Sequence, residues 1–251
     1  MLRTLLIFCV ALLGVTQAAD KPLRLGTLDV APYGYLTTKG RPDGAFFLLG
    51  NRIGEVAGVP TRNTLLPTAR LYAMLERKQL DLAITSVSLD TKAGMINLGR
   101  VWRFEGVVVY RPELGLTPRA LAEFRPYLIG RLNHSCPVLS RQGMRVYELT
   151  DISQGLRMLQ AGRLDGLCGE AGSLNAAAHS SGIDMHRFAE PFVFLSTDVS
   201  VYANPTLPAD TLARLSAAIR QLNETGDTER LISKYIGISP SKPSPPLRSR
   251  R

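Results

Sequence analysis

Apolar residues in this chain follow two rhythms that take turns. LRLGTL (Leu23 to Leu28) alternates well enough for a strand, and Pro32 ends it. From Gly44 onward, Phe46, Leu49, Ile53 and Val56 fall at helical spacing, with Gly58 and Pro60 as stop signals. Pro67 fits the first turn of a second helix, where its missing N–H costs nothing, and Leu71, Met74 and Leu75 form that helix's inner face. The polar stretch Glu76 to Gln79 then turns the chain into a strand, LDLAITS. Strand, helix, strand, helix, strand is the order of a parallel sheet covered by helices.

A second unit begins after GVVVYR (Gly106 to Arg111). YLIGRL (Tyr127 to Leu132) predicts a buried strand, Ser153 to Ala161 a helix, and LDGLCGE the strand after it. DVSVYA (Asp198 to Ala203) then repeats the pattern of GVVVYR. Leu212, Leu215, Ile219 and Leu222 form a helical stripe closed by Gly226, and a shorter helix ends at Tyr235-Ile236-Gly237. MLERKQLDLAITS (from Met74) and MLQAGRLDGLCGE (from Met158) share one layout, 84 positions apart. Each reads as the helix-to-strand joint of its own α/β lobe, with GVVVYR and DVSVYA as the passages between lobes.

The ends of the chain lie outside this pattern. Arg3, an apolar run from Leu5 to Val15 and the small residues around Ala18 describe a secretory signal peptide over residues 1–18. The run is too short to span a bilayer, which takes roughly 20 residues. The expected location is therefore the periplasm. The 251-residue chain is 45% hydrophobic and 20% charged, enough for a sizeable core. Losing Arg3 with the leader takes its formal charge from +9 to +8, and Lys242, Arg248, Arg250 and Arg251 supply four of those charges. Residues 239–251 are Pro- and Ser-rich without periodicity, as in a disordered basic tail. For an exported protein, nucleic acid is not an expected partner.

With these pieces in order, the sequence resembles the family 3 periplasmic solute-binding proteins, receptors of polar amino-acid ABC importers. The resemblance runs from Leu23 to Gly237. LRLGTLDVAPYGY is similar to the family's opening strand and Pro-aromatic loop, and LERKQLDLAITSVS to its strand leading into a Ser/Thr-rich ligand loop. LQAGRLDGLCGEAG resembles the second-lobe segment that ends in an acid, and LNETGDTERLISKYIG the closing helix. The resemblance implies an α/β, type II, two-lobed fold, each lobe a mostly parallel sheet flanked by helices, joined by two hinge strands. Lobe 1 would hold residues 20–109 and 203–238, and lobe 2 residues 110–202.

The resemblance also nominates a site. Lys92 stands where the family carries an arginine for the ligand's carboxylate, and a mobile point charge is not equivalent to a planar two-pronged donor. Arg70, after Pro67 at a helix start, could take that anion instead. Ser86 and Ser88 end the strand LDLAITSVS, where open α/β sheets bind ligands. Glu170 holds the family's acidic position, for a ligand ammonium. Tyr33 and Trp102 match aromatic wall positions, whereas Tyr35 reads better as core. His134 and Ser135 belong to the polar loop after YLIGRL. Phe46 and Leu48 replace two acids usual in the family. Cys136 and Cys168 would both lie near strand ends of lobe 2, and a disulfide can join them if those strands are neighbours, with Cα atoms near 5.5 Å.

Two rival readings use the same residues. His134, Cys136, Cys168 and Glu170 could ligate zinc, although their spacing is not a strong signature. Glu170 could also serve as the acid of a periplasmic dehydratase of this fold acting on prephenate or arogenate. The expectation is a monomeric receptor without catalysis, cofactor or metal. Its ligand would be a small polar solute carrying carboxylate and ammonium, and its partner an ABC transporter permease or a membrane sensor.

Overall fold

β1 (Leu23–Leu28) runs down the middle of a parallel trio, with β4 (Thr61–Leu66) on one side and β5 (Leu82–Thr85) on the other. Between β1 and β4 come the small antiparallel ribbon of β2 (Tyr35–Leu36) and β3 (Pro42–Asp43), then α1 (Ala45–Ala57). α2 (Thr68–Glu76) links β4 to β5, and the long β6 (Ile96–Tyr110) follows. The second half supplies β7 (Leu128–Leu132), α3 (Pro137–Arg141), β8 (Arg145–Leu149), α4 (Ile152–Gln160), β9 (Gly166–Glu170) and α5 (Ala171–Ser180). The chain closes with the long β10 (Phe192–Ala203), α6 (Ala209–Glu224) and α7 (Asp227–Ile236). This computed structural model describes residues 21–86, 94–133 and 135–237. The leader, the basic tail, Ser88, Lys92 and His134 lie outside them.

The eight long strands form one sheet in the order β4-β1-β5-β10-β6-β9-β7-β8. Its two ends are parallel trios, β4-β1-β5 and β9-β7-β8, and its middle is the antiparallel pair β10 and β6. Each trio has its own core on both faces. On the first, Phe46, Leu49 and Ile53 of α1 pack with Leu215, Ile219 and Leu222 of α6 over one face, while Leu71 and Leu75 of α2 cover the other. On the second, Leu156 and Leu159 of α4 cover one face, and Phe124 with Leu139 of α3 the other. No buried cluster of the described residues spans both trios, so the molecule is two-lobed.

The helical spacing at α1, α2 and α6 buries most of the residues it predicted, with Val56, Met74 and Leu212 half-buried at the edges, because a stripe recurring every three to four positions faces one way. α1 stops at Gly58 and α7 at Gly237, both in left-handed backbone. VVVY (Val107 to Tyr110) is buried throughout, with Val107 and Val109 on one face and Val108 and Tyr110 on the other.

Gly106–Tyr110 pairs with β9, and Gly106–Val108 also with β10, while Ser200–Ala203 pairs with both β5 and β6. Just before these, Trp102 to Glu105 pair with Ser196 to Val199 as a two-stranded ribbon. That ribbon carries Arg103 paired to Asp198 and register shifts around it, so no clean alternation reveals it as strand.

The recurring joint does the same work twice. In the first lobe the Asp81 carboxylate accepts from the Arg24 backbone N–H (2.8 Å) and guanidinium (2.8 and 2.9 Å) at the start of β1. In the second, Asp165 accepts from the Leu128 backbone N–H (2.9 Å) at the start of β7 and from Arg111 (2.7 Å). The leucine before each Asp packs on a glycine two residues further along the neighbouring strand, Leu80 on Gly26 and Leu164 on Gly130. A methyl group on either glycine would stand 2.7 or 2.6 Å from a leucine Cδ1.

Candidate functional site

Parallel strands present their carboxyl ends, with free loops and helix starts, to one edge of a sheet. Here those ends face each other across the crossing ribbon: Ser86 after β5 in the first lobe, Ser135, Cys136 and Glu170 after β7 and β9 in the second. Together with Phe104, Phe194 and Leu195 they line a cavity of about 460 Å³.

Glu170 is the most connected of these residues. It ends β9 and caps α5 without an intervening loop, so its carboxylate turns back onto the helix start. Oε1 accepts from Gly172 N–H at 3.0 Å, and Oε2 accepts from Ser173 N–H at 2.8 Å and Ser173 Oγ at 3.0 Å. A fourth donor crosses from the other lobe: the Tyr33 hydroxyl, 2.9 Å from Oε2. Three of these bonds converge on Oε2, and Oε1, with one, keeps an acceptor position.

Tyr33 does not wall the cavity. It is only 3% exposed, stacked on Phe46 at 4.6 Å and edge-on to Phe104 at 4.8 Å. Burial first, then the Glu170 charge, raises its phenol far above the usual tyrosine value, and the Trp102 indole N–H partly offsets them. Trp102 is half-buried on β6, close enough to the Tyr33 hydroxyl to influence it. Tyr35, not Tyr33, keeps part of its ring exposed. A Cβ on Gly172 would collide with the Tyr33 hydroxyl, so glycine is what allows the two lobes to meet here.

The remaining candidates divide. Ser86 and Ser135 line the cavity, and the Ser135 hydroxyl is buried with no hydrogen-bond partner among the described residues. Arg70 is exposed at the start of α2 and does not line the cavity. Cys136 and Cys168 are joined by a disulfide, with Cα atoms 6.4 Å apart, which ties the loop after β7 to β9. Both thiols are thereby consumed, so the zinc reading loses its two best ligands. Among the described residues no group of three or more His, Cys, Asp or Glu side chains could hold a metal. Glu170, an acceptor of four hydrogen bonds, is poorly arranged as a proton donor for dehydration.

Phe104, Phe194, Leu195 and Arg141 were not legible as site residues. Phe104 and Phe194 sit in the crossing ribbon whose pairing was hidden, and Arg141 closes a five-residue helix with no sequence signature. Gly106 opposite them had a signal, being the lone glycine before an apolar run. A Cβ there would stand 3.0 Å from the Phe194 ring.

These features define a class: two α/β lobes on a shared sheet, crossed by two strands, with a cavity where the strand ends meet. That is the type II periplasmic-binding fold, and solved structures agree. A polar amino acid ABC uptake transporter substrate-binding protein from Streptococcus thermophilus is 17% identical, with 88% of each chain covered at a TM-score of 0.69. The L-cystine solute receptor of Neisseria gonorrhoeae, unliganded and open, is 14% identical over 88% of this chain and 95% of that one, at 0.66. A histidine kinase sensor domain with similarity to periplasmic binding proteins is 17% identical over 89% and 99%, at 0.62. No protein-family model and no curated protein matches the chain. Likeness at these identities shows the fold.

Proposed function

We propose that this protein is a periplasmic solute-binding protein that captures one small polar solute of the amino-acid class between its lobes. The observation that carries this reading is the cavity itself, lined by Ser86 from one lobe and by Ser135 and Glu170 from the other. Its volume falls within the range of small-molecule sites, roughly 300–1,000 Å³. The names of the similar structures, amino-acid receptors of ABC transporters and a sensor domain, support the same reading. The leader delivers the chain to the periplasm, and no helix among the described residues is long and apolar enough to cross a membrane. The protein works as a monomer and passes its ligand, or the fact of binding, to an ABC permease or a membrane sensor. Of the nominated residues within the described part of the chain, Ser86, Ser135 and Glu170 form the site.

The lobes hinge in the crossing ribbon. β6 gains β9 as a second partner from Gly106 onward and β10 gains β5 from Ser200 onward, which supports a hinge in the residues just before them, close to the expected boundaries at 109/110 and 202/203. Binding closes the hinge and buries the solute.

A thermal-shift screen of the purified mature protein against amino acids, polyamines and organic acids tests the proposal. A true ligand at a hundredfold excess over its Kd adds about 2.7 kcal/mol to stability and raises Tm accordingly. A flat response to every solute class would remove the receptor reading.

A further inference from the structure

The acid of the site is held from both lobes. Within lobe 2, Gly172 and Ser173 donate to the Glu170 carboxylate from the start of α5. From lobe 1, the Tyr33 hydroxyl donates to Oε2, the oxygen that already takes two of those three bonds. Oε1 keeps an acceptor position.

The donor from lobe 1 is rigid. The Tyr33 ring packs on Phe46 and Phe104, and its carbonyl accepts from the N–H groups of Phe46 (2.8 Å) and Phe47 (3.2 Å) at the start of α1. Ring and backbone are both tied to lobe 1, so the phenol cannot follow Glu170 if α5 moves away. The same helix touches lobe 1 through apolar and backbone groups as well. A Cβ on Gly172 would stand 3.2 Å from Ile236 of α7, and one on Gly237, at the end of α7, 2.9 Å from the His179 Cβ. Both ends of α5 are thus seated on lobe 1, and the Tyr33 to Glu170 bond is a polar contact within that seam.

A hydroxyl donating to a carboxylate makes a charge-assisted bond, stronger than a neutral one and steeply dependent on distance and angle. Separating the lobes loses that bond and leaves a phenol that is 3% exposed without its acceptor. Resting on the receptor reading, we infer that Tyr33 is a positioning residue for the site. From lobe 1 it holds the Glu170 carboxylate by Oε2, leaves Oε1 to a cationic group of the solute, and raises the share of closed molecules before any solute arrives. Apparent affinity rises in proportion to that share.

The mature protein, dialysed free of small solutes, tests this by small-angle scattering and by the emission of Trp102, its single tryptophan. Tyr33→Phe should enlarge the radius of gyration and shift the emission to the red. Glu170→Ala should do the same, and Tyr33→Phe added to Glu170→Ala should change nothing further. Tyr72→Phe removes a comparable hydroxyl bond inside lobe 1, to Thr85 at 2.8 Å, and should move neither readout. In thermal-shift titrations with the twenty common amino acids, any that raises the parent Tm should need about fivefold more for the same rise in Tyr33→Phe, the worth of one net hydrogen bond. A Tyr33→Phe protein with the parent's radius and emission overturns the inference and leaves the receptor reading standing. Equal changes in Tyr72→Phe, or a full Tyr33→Phe effect in the Glu170→Ala background, overturn it too. A parent that responds to no amino acid counts against the receptor reading, while the solute-free radius and emission still decide the role of Tyr33.

Discussion

At the scale of single residues, the contact that matters most is the one between Tyr33 and Glu170, because it is made by groups from different lobes 137 positions apart. Tyr33→Phe keeps the ring stack with Phe46 and removes only the hydroxyl. Its expected cost is about 1 kcal/mol, the usual net worth of a buried hydrogen bond, read as a lower urea midpoint at unchanged slope. Gly172→Ala should cost more, since the added methyl must displace that hydroxyl, and parent-like stability in both variants would deny the contact any role. The residue identities were legible: a Pro-aromatic loop and an acid at a strand end drew attention to both positions. Their roles were not. Tyr33 reads as a wall and Glu170 as a ligand for ammonium until their mutual distance is known, since a hydrogen bond spanning 137 positions has no local signature.

At the scale of elements, the duplicated joint accounts for much of how each lobe is locked. Burial alone raises the Asp81 carboxyl, but the Arg24 guanidinium and backbone N–H outweigh it, so the group lies below the ordinary carboxylate range. Asp165 has the same balance: burial raises it, and the Leu128 N–H with Arg111 more than reverses that. A carboxylate with a depressed folded pKa binds fewer protons folded than unfolded. Its stabilisation is therefore present above the unfolded value and is lost as pH falls below about 5, toward the folded value. Urea midpoints measured from pH 7 to pH 3 should fall in the parent and fall less steeply in Asp81→Asn and Asp165→Asn. Equal slopes in all three would sink the assignment.

The glycine of each joint gives a matching test. Gly26→Ala and Gly130→Ala press a methyl onto Leu80 or Leu164, and each should destabilise by about 1–3 kcal/mol, the range for overpacking a core. The disulfide adds a third lock, closing a separation of 32 residues between Cys136 and Cys168. Its removal by a double Cys→Ser change should cost roughly 3 kcal/mol and loosen the loop that carries Ser135.

At the scale of the whole molecule, no buried cluster of the described residues is shared by the two cores, an arrangement that suits the proposed closure. Small-angle scattering should show a smaller radius of gyration when a ligand found by the thermal-shift screen is added at saturation. An unchanged radius alongside a raised Tm would mean binding without closure. In the proposed hinge motion, the Tyr33 to Glu170 bond is a contact that opening would break.

The sequence alone determined the alternation of strand and helix, the core faces of α1, α2 and α6, and the likeness of the two lobes. Those features are periodic or local: a stripe every three or four residues, a glycine stop, an aspartate before a strand. Tertiary structure alone decided how β6 and β10 pair, which cysteine strand neighboured which, that Tyr33 is buried, and that Arg141 reaches the cavity. Each of these depends on two segments far apart in the chain coming within a few ångströms, and sequence spacing carries no information about that distance.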